Sequence, residues 1–306
     1  MDPVLALAGF GVGVVVGLTG MGGGALMTPI LVLAFGVPPL AAVSSDLAAS
    51  AVMKPFGGFV HARRGTVNWS LVRWLCLGSV PAAFLGVLLT RLLGQAHEVQ
   101  KAVQLALAVA LVLAAVGLVV KAYVGSRRAA AGRPDVGARS IVVRPLPTAL
   151  LGAAGGLVVG LTSVGSGSLI IVVLLALYPS LRANDLVGTD LVQAIPMVAA
   201  AALGHAFFGD LRLDLAAAVL IGSVPGVILG SRLSSRAPGG FVRAALIVVL
   251  LASALKLFGV ANAYVIGVPA AVALVAVAIA ARRRIGERHR AASGDVVRRE
   301  EAPIPG

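Results

Sequence analysis

Two stretches of this 306-residue chain are near copies of one another, and both are apolar. GLTGMGGGALMTP at 17–29 returns as GLTSVGSGSLIIV at 160–172, an offset of 143. An offset of 144 then pairs Asp46-Leu47 with Asp190-Leu191, His61-Ala62 with His205-Ala206, Gly65 with Gly209, and GSVP at 78–81 with GSVP at 222–225. A soluble domain of this length is never 59% hydrophobic and 12% charged with a mean hydropathy of +1.01. Duplicated apolar segments point instead to a membrane carrier, in which two repeats build one site at their shared interface.

The apolar residues are mostly Ala, Val and Leu in runs near twenty residues, which suits spanning helices and not the short alternating segments of a barrel. The expected fold class is therefore all-α: a polytopic membrane protein of two inverted repeats, each a glycine-broken helical hairpin followed by three or four transmembrane helices. Apolar segments run at 3–18, 24–35, 42–60, 70–93 and 99–121, then at 146–161, 166–178, 186–208, 213–233, 241–258 and 262–281. The first repeat is thus 1–121 and the second 146–281. Between them 122–145, rich in Arg, Gly, Ala and Pro, reads as a cytoplasmic linker, and 282–306 as a basic cytoplasmic tail. No Lys or Arg precedes the first apolar run, so it reads as the first mature segment and not as a cleaved signal.

The net charge of +13 does not point to nucleic acid, because the basic residues sit in loops and a tail beside the apolar segments. With the tail in the cytoplasm, 20 of the 25 Lys and Arg residues fall inside; Arg91, Lys101, Arg212 and Lys256 fall outside, and Lys54 lies within a span. That is the positive-inside bias. The same parity makes 3–35 and 146–178 each begin and end on one side, so each is a hairpin, with the N-terminus outside. The lone cysteine, Cys76, has no partner for a disulfide or a thiolate cluster and reads as a small core residue.

Glycine and serine cluster where each hairpin turns: Gly20, Gly22, Gly23 and Gly24 in the first, Ser163, Gly165, Ser166 and Gly167 in the second. Such breaks leave backbone amides unpaired, which lipid does not tolerate unless protein or a polar cavity satisfies them. The helix that starts after each turn also aims free N–H groups and the positive end of its dipole at the tip, a ready anion site. Close helix packing is the competing use of small residues, but it does not require the clustering to recur at matched places. No Lys-Ser/Thr pair follows the glycines, so a nucleotide-binding loop is excluded.

SSDLAAS at 44–50 and GTDLVQA at 188–194 put hydroxyls and a carboxylate at matched helix starts. Ser45 and Thr189 are candidate substrate contacts. For Asp46 and Asp190 two readings stay open: capping and orientation of the hairpin, or a proton relay. Lys54, matched by Val198, either snorkels or faces inward to support an anion or pair with Asp46, and Gln193 offers a hydrogen bond to the same cavity. His61 and His205 recur at matched helix ends on opposite faces of the membrane, which makes them gating or capping residues and not joint metal ligands. The two GSVP segments read as packing features. No metal site, cofactor or enzymatic constellation is expected.

The glycine hairpins, each followed by a Ser/Thr-rich helix start and a Gly-x-x-Pro-x-x-x-x-Gly span, resemble the sulfite exporter TauE/SafE family over about 5–120 and 148–280. The most specific parts are GLTGMGGGALMTP, GTDL and GSVPGVILG at 222–230. The resemblance implies a multi-pass permease of the bacterial plasma membrane that moves sulfite, organosulfonates or other small sulfur anions. SVGSGS in the second hairpin, and SSD where relatives commonly carry a Thr-Ser pair, depart from the family pattern. The expected function is a secondary transporter, an exporter of a small anion held at the two hairpin helix N-termini, working by alternating access. The alternatives are an anion channel and a proton-coupled importer of another small carboxylate or sulfur compound. The partners are the substrate and the bilayer.

Overall fold

The computed structural model describes residues 3–19, 23–63, 65–92, 96–130, 141–167, 169–178, 183–208, 211–233, 239–262, 264–265, 267–269 and 271–272. Among them ten helices follow in order: α1 (Pro3–Thr19), α2 (Gly24–Phe35), α3 (Pro39–Arg63), α4 (Trp69–Leu92), α5 (Ala96–Ala130), α6 (Pro145–Thr162), α7 (Leu169–Leu177), α8 (Ala183–Phe208), α9 (Leu213–Leu233) and α10 (Gly239–Leu257). Five stretches, Trp69–Thr90, His97–Val120, Pro145–Thr162, Leu186–Phe208 and Leu213–Gly230, are long and apolar enough to cross a membrane. The chain is a polytopic all-helical membrane protein. The tail at 282–306 lies outside the described residues, as does most of the segment at 262–281.

Helix ends follow local chemistry. Gly36 stops α2 in a left-handed conformation, φ 62°, and Ser163 stops α6 in the same way at φ 59° while its N–H donates to the Val159 carbonyl at 2.7 Å. Asn68 accepts the Leu71 N–H at 2.9 Å and caps the start of α4. Two boundaries differ from expectation. Helix α5 continues to Ala130, past the expected start of the linker at 122, because its composition stays helix-forming after its hydropathy falls. Helix α7 starts only at Leu169, because the Gly-Ser turn consumes the residues before it.

The packing pairs map onto themselves when the halves are exchanged. Helix α1 packs on α9 and α6 on α4; α3 packs on α8 and α5 on α10; α8 touches α4 as α3 touches α9. Each hairpin's long arm is therefore held by the opposite half. Glycine makes this approach possible. A methyl group built on Gly78 would overlap the Ala149 carbonyl oxygen, and one on Gly222 would overlap that of Ala6, the matched position. Gly156 against Ser79 repeats Gly13 against Ser223. The GSVP segments do act in packing: in lipid, where no hydrophobic force joins helices, such close backbone contact supplies the attraction.

Substituting Gly78→Ala or Gly222→Ala should force these helices apart and cost about 1–3 kcal/mol, the usual range for overpacking. Thermal unfolding of the purified protein in detergent should register the loss. Gly11→Ala, where an added methyl meets nothing within 4 Å, should leave the melting temperature unchanged.

Candidate functional site at the hairpin tips

Where α6 ends, Val164, Gly165, Ser166 and Gly167 carry the chain toward α7. Gly165 at φ 134° and Gly167 at φ 94° hold conformations that side chains rarely adopt, and the Leu169 N–H donates to the Gly165 carbonyl at 3.1 Å. In the first hairpin Gly23 precedes α2, and its carbonyl accepts from the Leu26 and Met27 N–H groups at 3.0 and 2.9 Å. No side chain caps that helix, so its first N–H groups have no acceptor within the helix. Gly20 and Gly22 lie outside the described residues.

The two tips touch. The backbone of Gly24 lies so close to Ser163 that an added methyl would overlap the Ser163 carbonyl oxygen and come within 2.8 Å of its hydroxyl. Both residues are buried, as are Gly23, Val164, Gly165 and Gly167. Around Gly23 the neighbours are the Met53 and Val16 side chains.

Helix α3 brings charge to this junction. Asp46, 2% exposed, accepts two hydrogen bonds on Oδ2: from Thr28 Oγ1 at 3.0 Å and from Ser163 Oγ at 2.6 Å. One carboxylate thus ties α2 to the opposite tip. Capping of its own helix is ruled out, since Asp46 sits two turns into α3; orienting the hairpins is what its geometry does. Two turns further along, Lys54, 5% exposed, does not snorkel: Nζ donates to Ser166 Oγ at 2.7 Å, within the electrostatic reach of both Asp190 and Asp46. The acid and the amine so occupy one face of one helix, spaced to meet successive parts of the junction.

The remaining candidates are engaged elsewhere. Ser45 Oγ donates to the Arg212 carbonyl at 3.3 Å, and Thr189 Oγ1 accepts from the Asn68 N–H at 3.0 Å. These are matched contacts, each tying a repeat's polar helix to the residue ahead of the other repeat's α9 or α4, and they take both hydroxyls away from the tips. Gln193 uses both ends of its amide: Nε2 donates to Asp190 Oδ1 at 3.1 Å and Oε1 accepts from Ser79 Oγ at 3.3 Å. His61 Nδ1 lies 3.0 Å from Thr66 Oγ1, and His205 Nε2 lies 3.3 Å from the Gly160 carbonyl, near the end of α6. Among the described residues no three His, Cys, Asp or Glu side chains converge as a metal site would require.

Thr28 was missed in the sequence because matching the halves sets it against Ile171, an apolar residue. A hydroxyl one turn after the glycines was the available signal. Removing the acceptor should be costly: Asp46→Ala leaves two buried hydroxyls without their bond, at about 1–3 kcal/mol each, whereas Asp46→Asn keeps an oxygen for at least one of them. Melting temperatures in detergent should fall in the order wild type, Asp46→Asn, Asp46→Ala.

Residues 5–257 match the family described as "Sulfite exporter TauE/SafE". The chain is 38% identical over 266 residues to the probable membrane transporter protein YjnA of Bacillus subtilis (strain 168), covering 84% of this chain and all of that protein. It is 24% identical over 247 residues to the probable membrane transporter protein YdhB of the same organism, covering 79% of this chain and 94% of that protein. No solved structure matches. With the family pattern and a full-length relative both extending across the paired hairpins and their supporting helices, the chain belongs to the TauE/SafE sulfite exporter family of membrane transporters.

Proposed function

We propose that this transporter carries a small oxyanion, sulfite or an organosulfonate, bound between the two hairpin tips. The observation that carries the reading is the meeting of the tips: an uncapped helix start at Gly24 faces Ser163, and a buried ammonium, Lys54, reaches Ser166 of the same loop. Helix-start N–H groups, serine hydroxyls and one amine are the donors an oxyanion needs, held where water is scarce and each hydrogen bond counts for more. The family's name supplies the sulfur chemistry.

The proposed movement is alternating access. Hairpins entering from opposite sides would meet near mid-membrane: the twelve residues of α2 and the nine of α7 together make about one bilayer's length of helix. Because α1 rides on α9 and α6 on α4, each hairpin arm would move with its partner from the opposite half, and rocking one such pair against the other would carry a tip with it and open the junction to one side at a time. In the proposed topology the chain lies in the bacterial plasma membrane with its C-terminus in the cytoplasm. A potential negative inside then favours anion exit by about 2.3 kcal/mol per charge per 100 mV, so export requires no coupling ion.

One observation favours a second reading, co-binding of a proton. Among the described residues two buried carboxylates, Asp46 and Asp190, stand in electrostatic reach of one buried ammonium, Lys54. With all three ionised the junction is already negative, and an anion enters more readily if a carboxyl takes up a proton with it. Asp46 is the group placed to do so, since it bridges the tips.

Flux into proteoliposomes of sulfite, an alkanesulfonate, sulfate and acetate tests the reading. Saturable transport with counterflow of sulfite or the sulfonate is expected; conductance without saturation would make the protein a channel. Lys54→Met should raise KM by at least about tenfold, the worth of a charge-assisted hydrogen bond, and Gly167→Leu should abolish flux. Unchanged flux in both variants would remove the anion site from the tips. If a proton accompanies the anion, wild-type flux should rise with an acid gradient and Asp46→Asn should lose that dependence.

A further inference from the structure

The outer surface of the molecule carries an open apolar groove of about 830 Å³ between α4, α6 and α8. It is lined by Leu77, Pro81 and Phe84 from α4, by Ala153 from α6, and by Ala200, Leu203 and Phe207 from α8. The volume falls within the ~300–1,000 Å³ typical of ligand clefts. The groove does not belong to the tips.

The lining of the groove is duplicated only in part. The α4 side repeats: Leu77, Gly78, Pro81 and Leu85 correspond to Ile221, Gly222, Pro225 and Leu229 of α9. The α6 and α8 side does not. Ala153, Ala200 and Leu203 correspond to Phe10, Phe56 and Phe59, and Phe207 to Arg63, whose guanidinium lies 4.3 Å over the Phe59 ring. Three aromatic rings stand in one half where two methyls and a leucine stand in the other.

Charge marks one end of the groove. Arg73 lies one turn before Leu77 on the same face of α4, and Arg144 immediately precedes α6. The two helices run parallel, since Leu75 meets Gly152, Ser79 meets Gly156 and Ala83 meets Gly160, so both arginines sit at the same end. Both are exposed, and neither pairs with a carboxylate among the described residues. Exposed Trp69 begins α4 at that end, as tryptophans do at the level of lipid headgroups.

We propose that the α4–α6–α8 groove is a binding site for one anionic phospholipid, its acyl chain lying on Ala153 and Ala200 and its phosphate held by Arg73 and Arg144. A zwitterionic lipid would gain the chain contact without the net charge that two arginines select. A second protein copy fits less well, because docking would bring two arginine pairs together.

Native mass spectrometry of the full chain in mild detergent, titrated with phosphatidylglycerol or phosphatidylcholine, tests this. The wild type should retain one phosphatidylglycerol in preference to phosphatidylcholine. Ala200→Phe, alone or with Ala153→Phe, should lose it by copying the other half. Arg73→Gln and Arg144→Gln, which leave the helix packing untouched, should each weaken phosphatidylglycerol about fivefold, the worth of one basic residue at an anionic membrane surface, without changing phosphatidylcholine. Equal retention of both lipids by the wild type, or unaltered retention in the arginine variants, would overturn the proposal. So would a dimer in sedimentation that Ala200→Phe dissociates, which would assign the groove to a second copy.

Discussion

Close backbone approach between α1 and α9, and between α4 and α6, is the constraint on which the rest of the molecule depends. In lipid the apolar side chains of a helix gain nothing by leaving one hydrocarbon neighbour for another, so helix pairs are held by van der Waals fit and by contacts that only small residues permit. Here the fit is so tight that glycine faces carbonyl oxygen at matched places in both pairs: Gly78 at Ala149, Gly222 at Ala6. Because each pair joins one half to the other, the two halves are interlocked and neither long hairpin arm can move without its partner.

That interlock delivers the tips to one another. Each hairpin turn is locally irregular and would be intolerable against lipid. Brought together and buried, the tips are tied through side chains, with Thr28 and Ser163 both donating to Asp46. The cost of the broken helices is thus offset by a junction with hydroxyls, a carboxylate and an amine in a space that water does not freely enter.

Departures from symmetry carry as much meaning as the symmetry. Matched contacts, such as Ser45 to Arg212 and Thr189 to Asn68, are structural: they repeat because both halves must be tied in the same way. Unmatched residues are where the halves divide their labour. Lys54 faces Val198, Thr28 faces Ile171, and Ala200 faces Phe56 across the duplication. The first two shape the tip junction, and the third shapes the outer groove.

Hydropathy and glycine clustering are local properties, so the sequence alone was enough to specify an all-helical membrane chain, its internal duplication, and that one helix ends by Thr19 before the next starts at Gly24, as another ends at Thr162 before the next starts at Leu169. The breaks stand where Gly and Ser make helix continuation unfavourable, whatever surrounds them. Partner choice among apolar helices is not local. Leu, Val and Ala faces are nearly interchangeable in composition, and only the three-dimensional fit of glycine against carbonyl decides that a hairpin arm packs on the opposite half. For the same reason the tertiary structure alone showed that Asp46 meets Ser163, 117 residues away, and that the hydroxyls of Ser45 and Thr189 serve loops and not the tips. A carboxylate or hydroxyl in a sequence states what it can bond, and the fold decides which partner comes within 3 Å.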